Sequence, residues 1–279
     1  MEIYAIGDLH LPGGGDKPMH VFGEQWAGHF ERISRDWRER VRPEDVVLIP
    51  GDISWAMQTG DALPDLNAIG ELPGRKILLR GNHDYWWCGI SRLRELLPEG
   101  MYAVQNDALT LDGTVFCGTR GWTLPGAGTT PEDEKIYRRE LLRMEMSLER
   151  AKKLRTGRLV VLCHYPPLGE GGAETALSRM FEDCGVDDVV YGHLHGASLR
   201  GAVTGLRGGV RYHCVSCDGL DFRLCQLPGD RVEDAPEKGS AGAEKTRIGD
   251  ENSSVSPFLG REIPESGEQG HEEAACDQK

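Results

Sequence analysis

A chain of 279 residues is long enough for one α/β domain with a substantial buried core and short for two independent ones. Its formal charge of -13 is uneven: residues 229–279 hold 13 Asp or Glu against 6 Lys or Arg, which leaves residues 1–228 mildly acidic. Such a domain lacks the broad basic footprint that a nucleic-acid backbone calls for, and no run of about 18 apolar residues offers a membrane span.

The N-terminus carries no basic stretch followed by a long apolar one, so a cytoplasmic protein is expected. Eight cysteines, irregularly spaced and mostly beside apolar residues (Cys117, Cys163, Cys214, Cys225), read as core side chains rather than a disulfide framework. Cys214-x-x-Cys217 has a metal-ligand spacing but lacks the second pair that a structural zinc needs.

In chain order, the apolar run 3–6 stops at Gly7-Asp8-x-His10. Trp26, Phe30, Ile33 and Trp37 follow at i, i+4, i+7 and i+11, which covers one face of a helix. Val46–Pro50 runs into Gly51-Asp52, and residues 76–80 run into Gly81-Asn82-His83-Asp84. β-rich runs that end abruptly in Gly and polar residues read as buried strands feeding tight turns. Thr114–Gly118 is another strand. A second helix is marked by Tyr137, Leu141, Met144 and Leu148. Its start is signalled by Thr130-Pro131, a hydroxyl N-cap before a proline at the first helical position, with Glu132 and Asp133 in the first turn.

The strand design returns at residues 158–163, ending at His164, and at Asp188–Tyr191, ending at Gly192-His193-x-His195. Residues 210–216 and 222–227 make the later part β-rich. The alternation of strand and helix favours α/β, and the late strands point to a second sheet. From about Gly229 the patterning stops, and 229–279 is expected to be an acidic disordered tail behind a single domain over 1–228.

The polar strand ends combine carboxylate, imidazole and amide, donors that suit Mn, Fe or Zn better than Ca and require no thiolate. In order and grouping they resemble the calcineurin-like metallophosphoesterase family, whose pattern is DxH, then GD, then GNH followed by Asp or Glu, then His, then GHxH. The resemblance runs from Asp8 to His195. It implies a fold of two mixed β-sheets packed as a central sandwich flanked by helices. It also implies hydrolysis of a phosphomonoester or phosphodiester by hydroxide held between two divalent ions, with manganese foremost and iron, zinc or nickel as alternatives.

Residue by residue, the resemblance places Asp8, His10 and His195 on one ion, Asn82, His164 and His193 on the other, and Asp52 between them. Two neighbouring cations need a shared carboxylate to screen their repulsion. His83 is implied as the group that stabilises or protonates the leaving oxygen, oriented by Asp84. His20, His29, His213 and His271 match no motif. Gly7, Gly51, Gly81, Gly192 and Gly196 are expected to let the backbone turn sharply beside the ions.

After Gly51-Asp52 the chain reads Ile53-Ser54-Trp55-Ala56-Met57, where the protein Ser/Thr phosphatase branch has an Asp-Arg pair, and this argues against that branch. Rings among Trp55, Tyr85, Trp86 and Trp87 are expected at the mouth of the site, the alternative for each being core packing. A cap is expected over about 119–157, with Arg120 either on a substrate phosphate or in a surface ion pair. The expected partner is a small phosphorylated substrate, with a nuclease or a non-catalytic metal-binding scaffold as rivals and the acidic tail as a recruiting segment.

Overall fold

The computed structural model describes residues 1–15 and 19–229; the expected tail from residue 230 onward lies outside them. In chain order the elements are β1 (Ile3–Ala5), α1 (His29–Arg40), β2 (Val46–Pro50), α2 (Thr59–Gly70), β3 (Arg75–Leu79), α3 (Ile90–Leu96) and β4 (Met101–Val104). There follow β5 (Asp107–Leu111), β6 (Thr114–Gly118), α4 (Pro131–Leu154), β7 (Leu159–Leu162), α5 (Ala176–Asp183), β8 (Asp188–Tyr191), β9 (Gly205–Arg207), β10 (Val210–Cys214) and β11 (Cys225–Gln226). One sheet has the order β11-β1-β2-β3-β4, the other β5-β6-β7-β8-β10-β9. Each is mixed: β1 to β4 are parallel with β11 antiparallel at the edge, and β6, β7, β8 and β10 are parallel between antiparallel β5 and β9.

The period-2 alternation of the strands explains the layering. Val46 and Leu48 pack with Val160 and Leu162 in the core between the sheets. Val47 and Ile49 face the other way, onto Ile33 and Trp37 of α1 and Leu66 and Ile69 of α2. Val161 turns outward onto Met144 and Leu148 of α4 and Phe181 of α5. Each central strand therefore buries both faces, which is why its sequence reads as an unbroken apolar run. The expected central sandwich flanked by helices is the architecture found.

Three local expectations change. The first helix begins at His29, because Gly28 adopts a left-handed conformation (φ 57°); Trp26 belongs to a 3-10 turn before it, yet still packs with Ile33 and Trp37. Residues 222–227 do not enter the second sheet. Asp221 and Phe222 have φ of 51° and 58°, the chain swings back, and Cys225–Gln226 pairs antiparallel with β1 in the first sheet.

The third concerns the cap. α4 starts where expected, with Thr130 and Asp133 forming a reciprocal capping box and Pro131 at the first position. It lies along the second sheet, however, with Tyr137, Met144, Leu148 and Ala151 in that sheet's outer core and Ser147 donating to the Asp107 carbonyl at 2.7 Å. The 119–157 segment thus supplies a flanking helix. Among the described residues no helix is long and apolar enough to cross a membrane.

Candidate metal centre

The parallel strands of both sheets end on one side, and their first residues beyond the last rung carry the site, as is general for open α/β sheets. Asp8 and His10 follow β1, Asp52 follows β2, Asn82 and His83 follow β3, His164 follows β7, and His193 and His195 follow β8. Turning so sharply demands unusual backbone. Asp8, His10, Asp52 and His193 all have positive φ, at 58°, 46°, 52° and 74°, a conformation that costs an L-residue of order 1 kcal/mol or more and persists only where surrounding bonds enforce it.

Those bonds are visible. Both Asp8 carboxylate oxygens accept from the His193 backbone N–H (3.0 and 3.1 Å), and Asp52 Oδ1 accepts from that of His83 (2.9 Å). Glycine is required where the loops cross: a Cβ on Gly81 would strike the Asp52 carboxylate and backbone, and one on Gly192 would strike the Asp8 carboxylate.

Two donor clusters result. In one, His195 Nε2 lies 3.4 Å from His10 Nε2 and 3.6 Å from Asp8 Oδ1. In the other, Asn82 Oδ1 lies 2.6 Å from His164 Nε2 and 2.9 Å from His193 Nδ1, and the two ring nitrogens are 3.2 Å apart. Asp52 Oδ2 lies between, 3.9 Å from His10 Nε2 and 3.5 Å from His164 Nε2. Asp8, Asp52 and His164 also bring donor atoms within 4.8 Å of one another. All seven residues expected to hold metal are therefore gathered at one place.

The donor chemistry fits cations. His164 Nδ1 faces the Pro50 carbonyl at 3.0 Å, an acceptor only, so this nitrogen carries the hydrogen. The ring's other nitrogen, Nε2, is thereby turned to the side where Asn82 Oδ1 and His193 Nδ1 lie, as a shared cation would require. Burial holds His10 and His193 neutral, lowering their pKa to about 3 and about 4. Burial, with the neighbouring charges of Asp84 and Asp8, pushes the Asp52 carboxyl up to about 7. Two buried carboxylates as close as Asp8 and Asp52 are costly until cations compensate them.

The Asp84 carboxylate accepts from the backbone N–H groups of Ile53 (2.8 Å), Ser54 (3.2 Å) and Gly81 (2.7 Å) and from Trp86 Nε1 (2.9 Å). It therefore clamps the β2 and β3 loops together beside His83. Of the aromatic group, Trp86 and Trp87 are buried in the core, whereas Trp55 stacks on His10 (4.7 Å between centroids, 20° between planes) and Tyr85 is exposed beside His83. Arg120 gives its carbonyl to the backbone N–H of His164 (2.9 Å) and Tyr165 (3.1 Å), and its guanidinium lies over Trp122. Cys214 and Cys217 are free thiols, and Cys217 Sγ donates to the Asp8 carbonyl. His29 spans the Trp26 and Leu9 carbonyls, and His213 pairs with Asp188.

Sequence reasoning missed Asp218. Its Oδ1 accepts from His195 Nδ1 at 2.9 Å and its Oδ2 from the Gly196 backbone N–H at 3.0 Å. This fixes Nδ1 as the protonated nitrogen and turns Nε2 toward His10 and Asp8, the arrangement by which outer carboxylates orient metal-binding imidazoles. Burial works against a charged His195, yet Asp218 and Asp8 raise it to about 10 in the metal-free protein. A signal existed: the β-rich stretch 210–216 runs into Cys217-Asp218-Gly219, a carboxylate just beyond a strand as at the other ends.

A family model described as calcineurin-like phosphoesterase matches residues 1–197. Gene 66 protein of Mycobacterium phage D29 is 30% identical over 241 residues, 84% of this chain and 94% of that one. Among solved structures, the phosphopantetheinyl hydrolase PptH of Mycobacterium tuberculosis shares the fold at a TM-score of 0.52 and 16% identity, over 84% of this chain and 98% of that one. A protein of unknown function from Aquifex aeolicus reaches a TM-score of 0.44 at 16% identity, over 81% and 95%. With its strand-end donors and the family's pattern coinciding, the chain belongs to the calcineurin-like phosphoesterases, metal-dependent hydrolases of phosphoesters.

Proposed function

We propose that this hydrolase cleaves a small phosphomonoester or phosphodiester, with Asp8, His10 and His195 holding one divalent ion, Asn82, His164 and His193 the other, and Asp52 shared. The observation that carries the reading is the convergence of Asn82 Oδ1, His164 Nε2 and His193 Nδ1 within 2.6 to 3.2 Å, three metal-ligating atoms gathered at one point. Manganese is the ion pair we propose, because the set is mixed oxygen and imidazole without thiolate. Bound there, two such ions supply a water acidic enough to ionise near neutral pH and draw charge from the phosphate oxygens.

The chain's own groups do the rest. Asp52 is within reach of both clusters, and its carboxylate sets their separation. His83 is anchored through its backbone to Asp52, with its ring centroid 4.7 Å from Trp55 and 5.9 Å from His10, outside both clusters and on the cavity side. From there its protonated ring gives a proton to the departing alcohol, as a general acid. The free thiols of the described residues suit a reducing compartment, and we place the enzyme in the cytoplasm.

The test is hydrolysis of p-nitrophenyl phosphate and bis-(p-nitrophenyl) phosphate with added Mn, comparing wild type with Asp52→Asn and His83→Ala while counting bound metal. Loss of turnover in both, with metal kept in His83→Ala, is the expected result. A protein that binds no metal refutes the assignment.

A further inference from the structure

Beside the metal clusters lies a cavity of about 300 Å³, and it is made of a different material from them. His10, His83 and His195 form its inner wall; Met19, Phe22, Trp26 and Trp55 supply the apolar remainder. Three of these last four come from residues 19–26, two short 3-10 turns inserted between β1 and α1. Trp26 and Met19 are buried, and Trp55 spends its indole N–H on Met19 Sδ at 3.2 Å, which fixes the ring as a wall. Phe22 is 62% exposed at the rim. A large ring held in water next to a catalytic cluster is a common mark of a ligand surface.

Charge narrows what enters. No Lys or Arg of the described residues lines the cavity; outside the clusters its titratable wall groups are the His83 ring, taken up by the leaving oxygen, and the Asp218 carboxylate. An occupant bearing further phosphates would meet that carboxylate with no Lys or Arg among the described residues to offset it. Direction narrows it again. On the proposed reading His83 hands its proton to the leaving oxygen, and His83 faces this cavity, so what enters is the leaving alcohol rather than the far side of the phosphate.

We propose that the cavity selects the substrate by its leaving group, an uncharged alcohol whose body is a flat aromatic ring system, aryl or nucleobase, packed between Phe22 and the Trp26 and Trp55 walls. The inference rests on the proposed hydrolysis for its direction, and on the composition of the cavity for its chemistry. Ring stacking on aromatic side chains corresponds to roughly fivefold to a hundredfold in affinity.

The experiment uses primary-alcohol leaving groups of similar reactivity, matched also in size in the first pair. The metal-loaded full chain is given benzyl phosphate against cyclohexylmethyl phosphate, and adenosine 5′-monophosphate against ribose 5-phosphate. The first pair reports the aromatic ring alone, the second a nucleobase. Expected is a kcat/KM at least about tenfold higher for the aromatic member of one pair, falling toward parity in Phe22→Ala. Phe22 is a rim residue, so this variant should keep its fold, and Trp55→Leu provides a second. Binding of benzylphosphonate against cyclohexylmethylphosphonate, followed by tryptophan fluorescence, needs no turnover. If no ester were cleaved while the aromatic phosphonate still bound more tightly, the hydrolytic reading would fall and the cavity's preference would stand. Equal kcat/KM within both pairs together with equal phosphonate affinity, or a preference untouched by both variants, would overturn the inference.

Discussion

Removing the Asp218 carboxylate tests whether the first cluster is a metal site organised from outside. Asp218 is buried against His195, with hydrogen bonds of 2.9 and 3.0 Å to the imidazole and to Gly196. In Asp218→Ala both donors lose their acceptor, and with it goes the hold on the His195 tautomer. Loss of such an orienting group lowers metal affinity about 10- to 100-fold, or roughly 1.4 to 2.7 kcal/mol. Asp218→Asn keeps a single acceptor oxygen for two donors and should fall between. Titration of metal-free protein with Mn against a chelating dye separates the two ions. The expected result is weakening at the Asp8–His10–His195 cluster, while the Asn82–His164–His193 cluster, which Asp218 does not touch, keeps its affinity. If Asp218→Ala bound both ions as wild type does, with unchanged thermal stability, the orienting role would be refuted.

Other outcomes follow from the same geometry. Because His195 is raised to about 10 without metal, it carries a proton that an incoming ion must displace; metal uptake should release that proton and weaken as pH falls, which calorimetry in buffers of different ionisation enthalpy will show. Gly192→Ala sets a methyl group against the Asp8 carboxylate and should abolish metal binding at the first cluster while the protein stays folded by circular dichroism; normal metal content would contradict the close approach. Asp188 is fully buried, joined to Arg158, Arg211 and His213, and Asp188→Ala leaves Arg158 buried without its counterion, a loss of about 3 to 5 kcal/mol by urea unfolding. Burial acts to raise the Asp188 carboxyl, but His213, Arg211 and Arg158 hold it well below the ordinary carboxylate range. Its stabilisation is therefore complete above the unfolded-state value near pH 4 and drains away as pH falls toward the folded-state value, so the gap between wild type and variant should narrow only in acid.

What could be read from the sequence and what could not divide along a physical line. Asp8, His10, Asp52, Asn82, His164, His193 and His195 were legible because each follows an apolar strand directly, and a strand that buries both faces leaves a plain signature. The strands 46–50 and 76–80 of the first sheet and the start of α4 at Thr130 were legible for the same local reasons. An amphipathic stripe, by contrast, tells only that a helix covers something: Tyr137, Met144 and Leu148 fit a cap and a sheet equally well until packing decides. The turn at Asp221 and Phe222 that diverts β11 to the first sheet depends on two left-handed residues without glycine, which no pattern announces.

Asp218 and the cavity wall share that character. Asp218 becomes a partner of His195 only when β10 lies beside β8, Met19 and Phe22 lie in a short segment without strand or helix periodicity, and Trp26 reads as part of a helix that in fact starts after it. The residues proposed to handle phosphate are thus held by strand ends, where sequence and position are tightly linked, whereas those proposed to choose the leaving group sit on turns whose placement arises from tertiary packing. Strand ends stabilised by burial on both faces tolerate little change, and turns at a rim tolerate much. On the proposed reading, exchanging segment 19–26 for that of a relative should therefore move substrate preference while leaving metal content unaltered.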